Sequence, residues 1–253
     1  MHRLFYAVLS SLLALACCST PARATQFRLL AWGTNDYSLH FDQKDNLTID
    51  VQVQTNRLSP VYETPGGQSL TLYRIVNDDK GMPVRQIACP VTVPAGLRHG
   101  ILILIPAAPA SSWIRLGQGG QALRVPRTYE YRWLDDSPEV RPPGTIEFRN
   151  MQGLPVAVRA GDREMLVPPQ GKEQVPIVPG AKRIGFKAAA FYDGGWHLFA
   201  SSPLPTRGVG RLMVIFREAA EAPATGASGP GIRIVQLHEP PSRLRNALPP
   251  EEP

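Results

Sequence analysis

The stretch "YRWLDDSPEVRPPGTIEFRN", residues 131 to 150, decides how this chain folds. A strand-like run leads into Asp135 and Asp136. Ser137-Pro138 and then Pro142-Pro143-Gly144 follow, before a second strand-like run, "TIEFRN". Proline cannot donate to a ladder, and aspartate before Ser-Pro caps nearby backbone amides, so the middle of the stretch predicts a connection between two strands. The two acids invite a catalytic reading as well. Acid/base work needs two carboxylates that converge on a substrate, whereas adjacent strand residues point to opposite faces. The expectation is therefore that Asp135 and Asp136 shape a turn.

The same grammar extends in both directions. "NLTIDVQVQ" alternates Leu47, Ile49, Val51 and Val53 with polar residues, the period-two pattern of a half-buried strand. "SLTLYRIV" repeats it. "GILILIPA" (100–107) is short, continuously apolar and bounded by turn residues, as a strand buried on both faces should be. "LPVAVRAG", "RIGFKAAAFY", "GWHLFASS" and "RLMVIFRE" continue the series. Asp193-Gly194-Gly195 between two such runs predicts a tight hairpin, because glycine supplies positive φ. No segment carries a capped 3.6-residue period. The 26 prolines and 22 glycines are spread between short runs, which predicts an all-β chain of sandwich type.

The chain also echoes itself. "IDVQVQTNRLSPVYETPGG" runs parallel to "LPVAVRAGDREMLVPPQG", and "ILILIPA" to "RLMVIFR". A duplication follows: two tandem β-sandwich domains at 25–106 and 123–218, joined by a Pro-, Ser- and Gly-rich linker at 107–122. Residues 219–253 read as a linker, a late strand at 231–239 and a loose Pro-rich C-terminal tail.

The N-terminus predicts export. His2 and Arg3 precede an apolar run from Leu4 to Ala16, and Ala22-Arg23-Ala24 supplies a small-x-small cleavage site, so residues 1–24 read as a signal peptide. Lipid anchoring at Cys17 is the rival reading; Ala14 stands three places before it, where a large apolar residue is usual. The segment carries Arg3 and Arg23 and no acid, so the remainder has 25 basic and 21 acidic residues, a net charge of +4. The bases are scattered, without the basic stripe and interleaved aromatics of a nucleic-acid binder. Only Cys89 remains after cleavage, so an exported protein of this size would rest on its core rather than on an internal disulfide.

Candidate chemistry is sparse. His40, His99, His197 and His238 show no His-x-His or His-x-x-x-His spacing, and Cys89 lacks the following His and Met of a blue-copper site. There is no Gly-x-Ser-x-Gly elbow, and "GQGGQ" lacks the lysine of a phosphate loop. No catalytic, cofactor or metal residue is assigned. The aromatics Trp113, Trp133, Trp196 and Tyr192 are the candidate binding residues, set against core and hairpin packing.

"WLDDSPEVRPPGTIEFRNMQGLPVAVRAGDREMLVPPQG" resembles a group of uncharacterised exported bacterial proteins in which a "DDS" turn, a Pro-Gly step, a strand ending in Asn and a "PV-V--G" strand recur. The residues that carry the likeness are Asp135, Asp136, Ser137, Pro143, Gly144, Phe148, Asn150, Pro155, Val156, Val158 and Gly161. The resemblance implies duplicated immunoglobulin-like domains and no activity. Three functions are consistent with this sequence. One is a non-enzymatic periplasmic or extracellular module binding an envelope protein, peptide or glycan, with no transmembrane segment. The second is a metal-dependent or acid/base hydrolase around Asp135, Asp136 and His197, and the third a structural subunit of a surface assembly.

Overall fold

The computed structural model describes residues 24–33, 35–43, 47–65, 67–108, 112–116, 122–126, 128–206, 208–218 and 231–241, with backbone alone for 112–116 and 122–126. Residues 1–23 of the proposed signal peptide, Cys17 among them, the segment 219–230 and the end of the tail lie outside the described residues, while Ala24 opens the first strand.

Every element is a strand. The first ten are β1 (Ala24–Ala31), β2 (Asp36–Asp42), β3 (Thr48–Val53), β4 (Tyr62–Pro65), β5 (Ser69–Asn77), β6 (Pro83–Thr92), β7 (His99–Pro106), β8 (Ser112–Leu116), β9 (Ala122–Pro126) and β10 (Tyr129–Asp135). The next five are β11 (Thr145–Asn150), β12 (Val156–Ala160), β13 (Arg163–Val167), β14 (Lys172–Pro176) and β15 (Arg183–Ile184). The last five are β16 (Phe186–Tyr192), β17 (Gly195–Ser201), β18 (Leu204–Pro205), β19 (Arg211–Glu218) and β20 (Ile232–Glu239).

Four sheets of four strands carry the fold, in the orders β10-β7-β1-β4, β3-β2-β5-β6, β14-β11-β19-β20 and β13-β12-β16-β17. Most neighbours are antiparallel. Two pairs, β1–β7 and β11–β19, are parallel. The strand pairings repeat between the first two sheets and the last two. Replacing β1, β2, β3, β4, β5, β6, β7 and β10 by β11, β12, β13, β14, β16, β17, β19 and β20 turns the first two sheets into the last two, with every pairing and direction kept. Even a bulge repeats, between Leu72 and Tyr73 opposite β6 and between Ala188 and Ala189 opposite β17. The sequence echo aligns β7 with β19 as the topology does. It matches β3 with β12, one strand out of step, because alternating patterns fit any neighbour.

Each half closes on its own apolar cluster. Phe27, Leu29, Leu39, Phe41, Leu72, Cys89, Leu102 and Leu104 fill the first, so Cys89 is a small buried hydrophobe. Ile146, Phe148, Val156, Phe186, Val214 and Phe216 fill the second, with the Phe148, Phe186 and Phe216 rings stacked. In the first half Asp36 accepts hydrogen bonds from Tyr129, Ser38 and Arg74, tying β2, β5 and β10 together. Burial raises its carboxyl, and these donors more than offset that, holding it at about 2.

A third cluster joins the halves. Leu30, Ile101, Ile103 and Leu134 from one sheet meet Met213, Ile215, Val235 and Leu237 from the other, with Leu58 beside them. We call these two the seam sheets and the remaining two the outer sheets. This explains the continuously apolar "GILILIP" and "RLMVIF": alternate residues serve the core and the seam, so both faces are dry.

The change of sheets falls later than the expected linker at 107–122. That segment holds the β8 strand of a separate hairpin with β9, and β10 still pairs with β7 of the first half along its whole length. The crossing comes between Asp135 and Thr145, inside the stretch that opened the sequence analysis. The late strand returns as expected, as β20 on the edge of the second seam sheet.

Candidate functional site

The crossing segment builds the site. β10 ends at Asp135, whose carboxylate accepts from the Ser137 amide at 2.9 Å. That aspartate shapes the turn, as its sequence context predicts. Asp136, expected to shape the same turn, does something else. It lies buried at the seam, ion-paired with Arg28 of β1, Arg141 of the crossing segment and Arg211 of β19. The adjacent acids diverge because the Asp136 amide continues the ladder to the His99 carbonyl, which turns its side chain to the seam face.

Glu239 completes the cluster. It lies 2.9 Å from Arg28, 3.1 Å from Arg141 and 2.9 Å from Arg211, and is 2% exposed. Glu147 follows, bonded by Arg149 at 2.8 Å and by Gln174 at 3.0 Å. Burial pushes the Glu239 carboxyl up, but the field of Arg28, Arg141 and Arg211 outweighs it and leaves the group well below the usual carboxylate range. Burial likewise works against the Arg28 charge, and Asp136 and Glu239 overcome it.

The repeated strand pairing accounts for the geometry. Leu134 pairs with Ile101 and Leu237 with Met213, so Asp136 and Glu239 fall at equivalent places, each two residues past an equivalent leucine. Each half presents an acid at the same end of its seam strand, and three arginines neutralise the pair where the halves meet.

Beside this cluster lies a cleft of about 410 Å³. Its charged floor is Arg28, Asp136, Arg211 and Glu239, its walls include Phe27, Leu58, Pro60, Val61, Pro138 and Pro143, and Gln26, Gln52, Gln54, Arg57 and His99 supply polar groups. The cleft sits where the halves stop matching. Between β13 and β14 the connection is residues 168–171, and β14 pairs with β11 from Thr145 to Arg149. Between β3 and β4 it is residues 54–61, and β4 pairs with β1 only as far as Phe27. The longer connection arches away from β1 and is pinned at three points. Gln54 accepts from the Ala31 amide at 2.8 Å, Ser59 Oγ accepts from Leu29 N–H at 2.8 Å, and Ser59 N–H donates to the Leu29 carbonyl at 3.0 Å. The space under the arch is the cleft.

The residues singled out by sequence are scattered. His197 is exposed on β17, stacked on Tyr192 with ring centroids 3.9 Å apart, rather than half-buried as its strand context predicts. It does not line the cleft, so Asp135, Asp136 and His197 are not brought together. Trp133 packs edge-on against Phe27 and donates to the Thr92 carbonyl at 2.9 Å. Trp196 is exposed beside Phe191, on the outer sheet of the other half. The Trp113 side chain lies outside the described residues. The four aromatics therefore make no common platform among the described residues. Among the same residues no group of three or more His, Cys, Asp or Glu could hold a metal ion, and no helix is long and apolar enough to cross a membrane.

Sequence reasoning missed Arg28, Arg141, Arg211 and Glu239. The signal was present in "WLDD" and "QLHE", an apolar residue two places before an acid at the end of equivalent strands. No family model and no curated protein matches the chain.

Proposed function

We propose that this is an exported, non-enzymatic module of two tandem immunoglobulin-like sandwich domains, related to the uncharacterised proteins that its second half resembles, and that it holds a polypeptide segment of an envelope partner in the cleft. The observation that carries this reading is that the acids of the cleft are already spent. Asp136 and Glu239 are saturated by arginine, and Glu239 is driven away from the neutral range in which a general acid or base works. What the cleft offers a visitor is apolar wall and neutral amide: Leu58, Pro60 and Val61 beside Gln26, Gln52 and Gln54. Apolar patches and uncharged donors and acceptors suit a peptide backbone with hydrophobic side chains.

The test is a pull-down from envelope extract with the exported chain immobilised, comparing wild type with Val61→Arg. Val61 is half exposed on the arch, so the larger charged side chain obstructs the cleft without disturbing a core. A partner retained by wild type and by Trp196→Ala, and lost from Val61→Arg, supports the assignment. Equal capture by Val61→Arg removes it.

A further inference from the structure

An unprotected strand edge is an invitation to pair, and proteins blunt such edges with charge or proline. The four main sheets have eight edge strands: β10, β4, β3, β6, β14, β20, β13 and β17. Seven carry a device. β10 has Glu130, Arg132 and Asp135; β4 has Glu63 and Pro65; β3 has Asp50; β6 has Pro83, Arg85 and Pro90. β14 has Lys172, Glu173 and Pro176; β20 has Arg233 and Glu239; β13 has Arg163 and Glu164. β17, "GWHLFAS", has no Lys, Arg, Asp, Glu or Pro at all.

The contrast is sharpest against β6, its equivalent in the other half. Both strands carry the same bulge, so backbone geometry does not separate them. Side chains do. On β17 Trp196 is 50% and Leu198 62% exposed, and the apolar face continues to Phe191 on β16, directly opposite Trp196. Equivalent edge strands thus differ in protection: β6 carries arginine and proline, and β17 carries neither.

We propose that β17 is a self-association edge, pairing antiparallel with β17 of a second copy of this chain to extend the outer sheet across a two-fold axis. The argument for a second copy is charge. An antiparallel self-pair through the regular stretch before the bulge at Phe199 opposes no Lys, Arg, Asp or Glu, whereas charged edges such as β10 or β20 bring their own ionic side chains into the new sheet. Symmetric pairing also joins the two Trp196–Phe191–Leu198 patches into one. The inference does not depend on the cleft.

Sedimentation equilibrium of the exported chain from micromolar to millimolar concentration tests it. An interface at the small end of the specific range, below about 1,200 Å², gives a weak reversible dimer. The expected result is a weight-average mass rising toward twice the chain mass, with Leu198→Lys weakening association at least tenfold. Leu166→Lys lies on the same face at the opposite edge, in register through Ala157 and Ala189, and leaves association unchanged. Circular dichroism establishes that both variants fold. A single-chain mass for wild type throughout, or equal dimerisation by Leu198→Lys, overturns the proposal. So does a wild-type monomer that takes up only a strand of another protein.

Discussion

Replacing Glu239 with glutamine removes one acid from the seam and leaves three guanidiniums facing Asp136 and the more distant Glu147. Arg28, Arg141 and Arg211 each lie within 3.1 Å of a Glu239 oxygen, and Arg141 is 1% exposed, so water does not replace the lost charge there. Glutamine keeps the volume and one acceptor, but its amide group turns donors toward donors. Removing one partner of a buried ion pair typically destabilises by about 3–5 kcal/mol, because the remaining charge is left uncompensated. At roughly 2–4 °C per kcal/mol for a chain of this size, the melting midpoint should fall by about 6–20 °C. The assay is thermal unfolding followed by circular dichroism at neutral pH and low salt. The same cluster fixes the acid limb. Glu239 is depressed below its unfolded value, as is Asp36 at about 2, so their contribution is complete above the ordinary carboxylate range. It is lost as pH falls through the folded values. Wild type should therefore lose stability between about pH 4.5 and 2, and Glu239→Gln should show a shallower loss across that window. A midpoint shift under about 2 °C, with an unchanged acid limb, would refute the account by showing that Glu239 is effectively solvated.

Three further outcomes test other parts of the structure. Arg217 is 6% exposed, its Nε and Nη1 have no hydrogen-bond partner among the described residues, and the Trp32 ring stands 5.2 Å from its guanidinium. Arg217→Met should raise urea-unfolding stability by about 1 kcal/mol, since apolar replacement of a poorly compensated buried charge is often stabilising. A Cβ on Gly100 would stand 2.9 Å from Leu97 and 3.0 Å from the Trp133 ring, so Gly100→Ala should destabilise by about 1–3 kcal/mol and shift the Trp133 emission. Phe148 packs against both Phe186 and Phe216, with centroids 5.8 and 6.4 Å away, and Phe148→Ala should destabilise by about 3–5 kcal/mol in the same urea assay.

Strand content was legible because alternation is a local property. The Asp193-Gly194 hairpin was legible for the same reason: both residues adopt positive φ, 50° and 74°, the mirror-image turn that matches strand twist. The seam was not legible. "GILILIP" reveals that both faces are buried, but not that one of them belongs to another sheet. Asp136 looked like a turn residue because its only sequence neighbours are turn-formers; its partners Arg28 and Arg211 lie 108 and 75 positions away. His197 misled in the opposite direction. Its strand context predicts a half-buried position, yet His197 is exposed, and so are its neighbours Trp196 and Leu198.

The repeated strand topology orders these observations by their consequences. Where the halves agree, the structure is framework: the parallel seam pairs, the paired bulges, the two closed cores. Where they differ, something specific has been added. The connection 54–61 is twice the length of its counterpart 168–171, and the cleft lies beneath it. β17 lacks the charges and prolines of β6, and an open edge results. The crossing segment supplies Arg141, the most enclosed cation of the seam. Two copies of an acid at the same strand end would repel across any face-to-face packing of the seam sheets. Arg141 joins Arg28 and Arg211 at that place, so the ion cluster is what allows the halves to pack in this register and sets the floor on which the cleft is built.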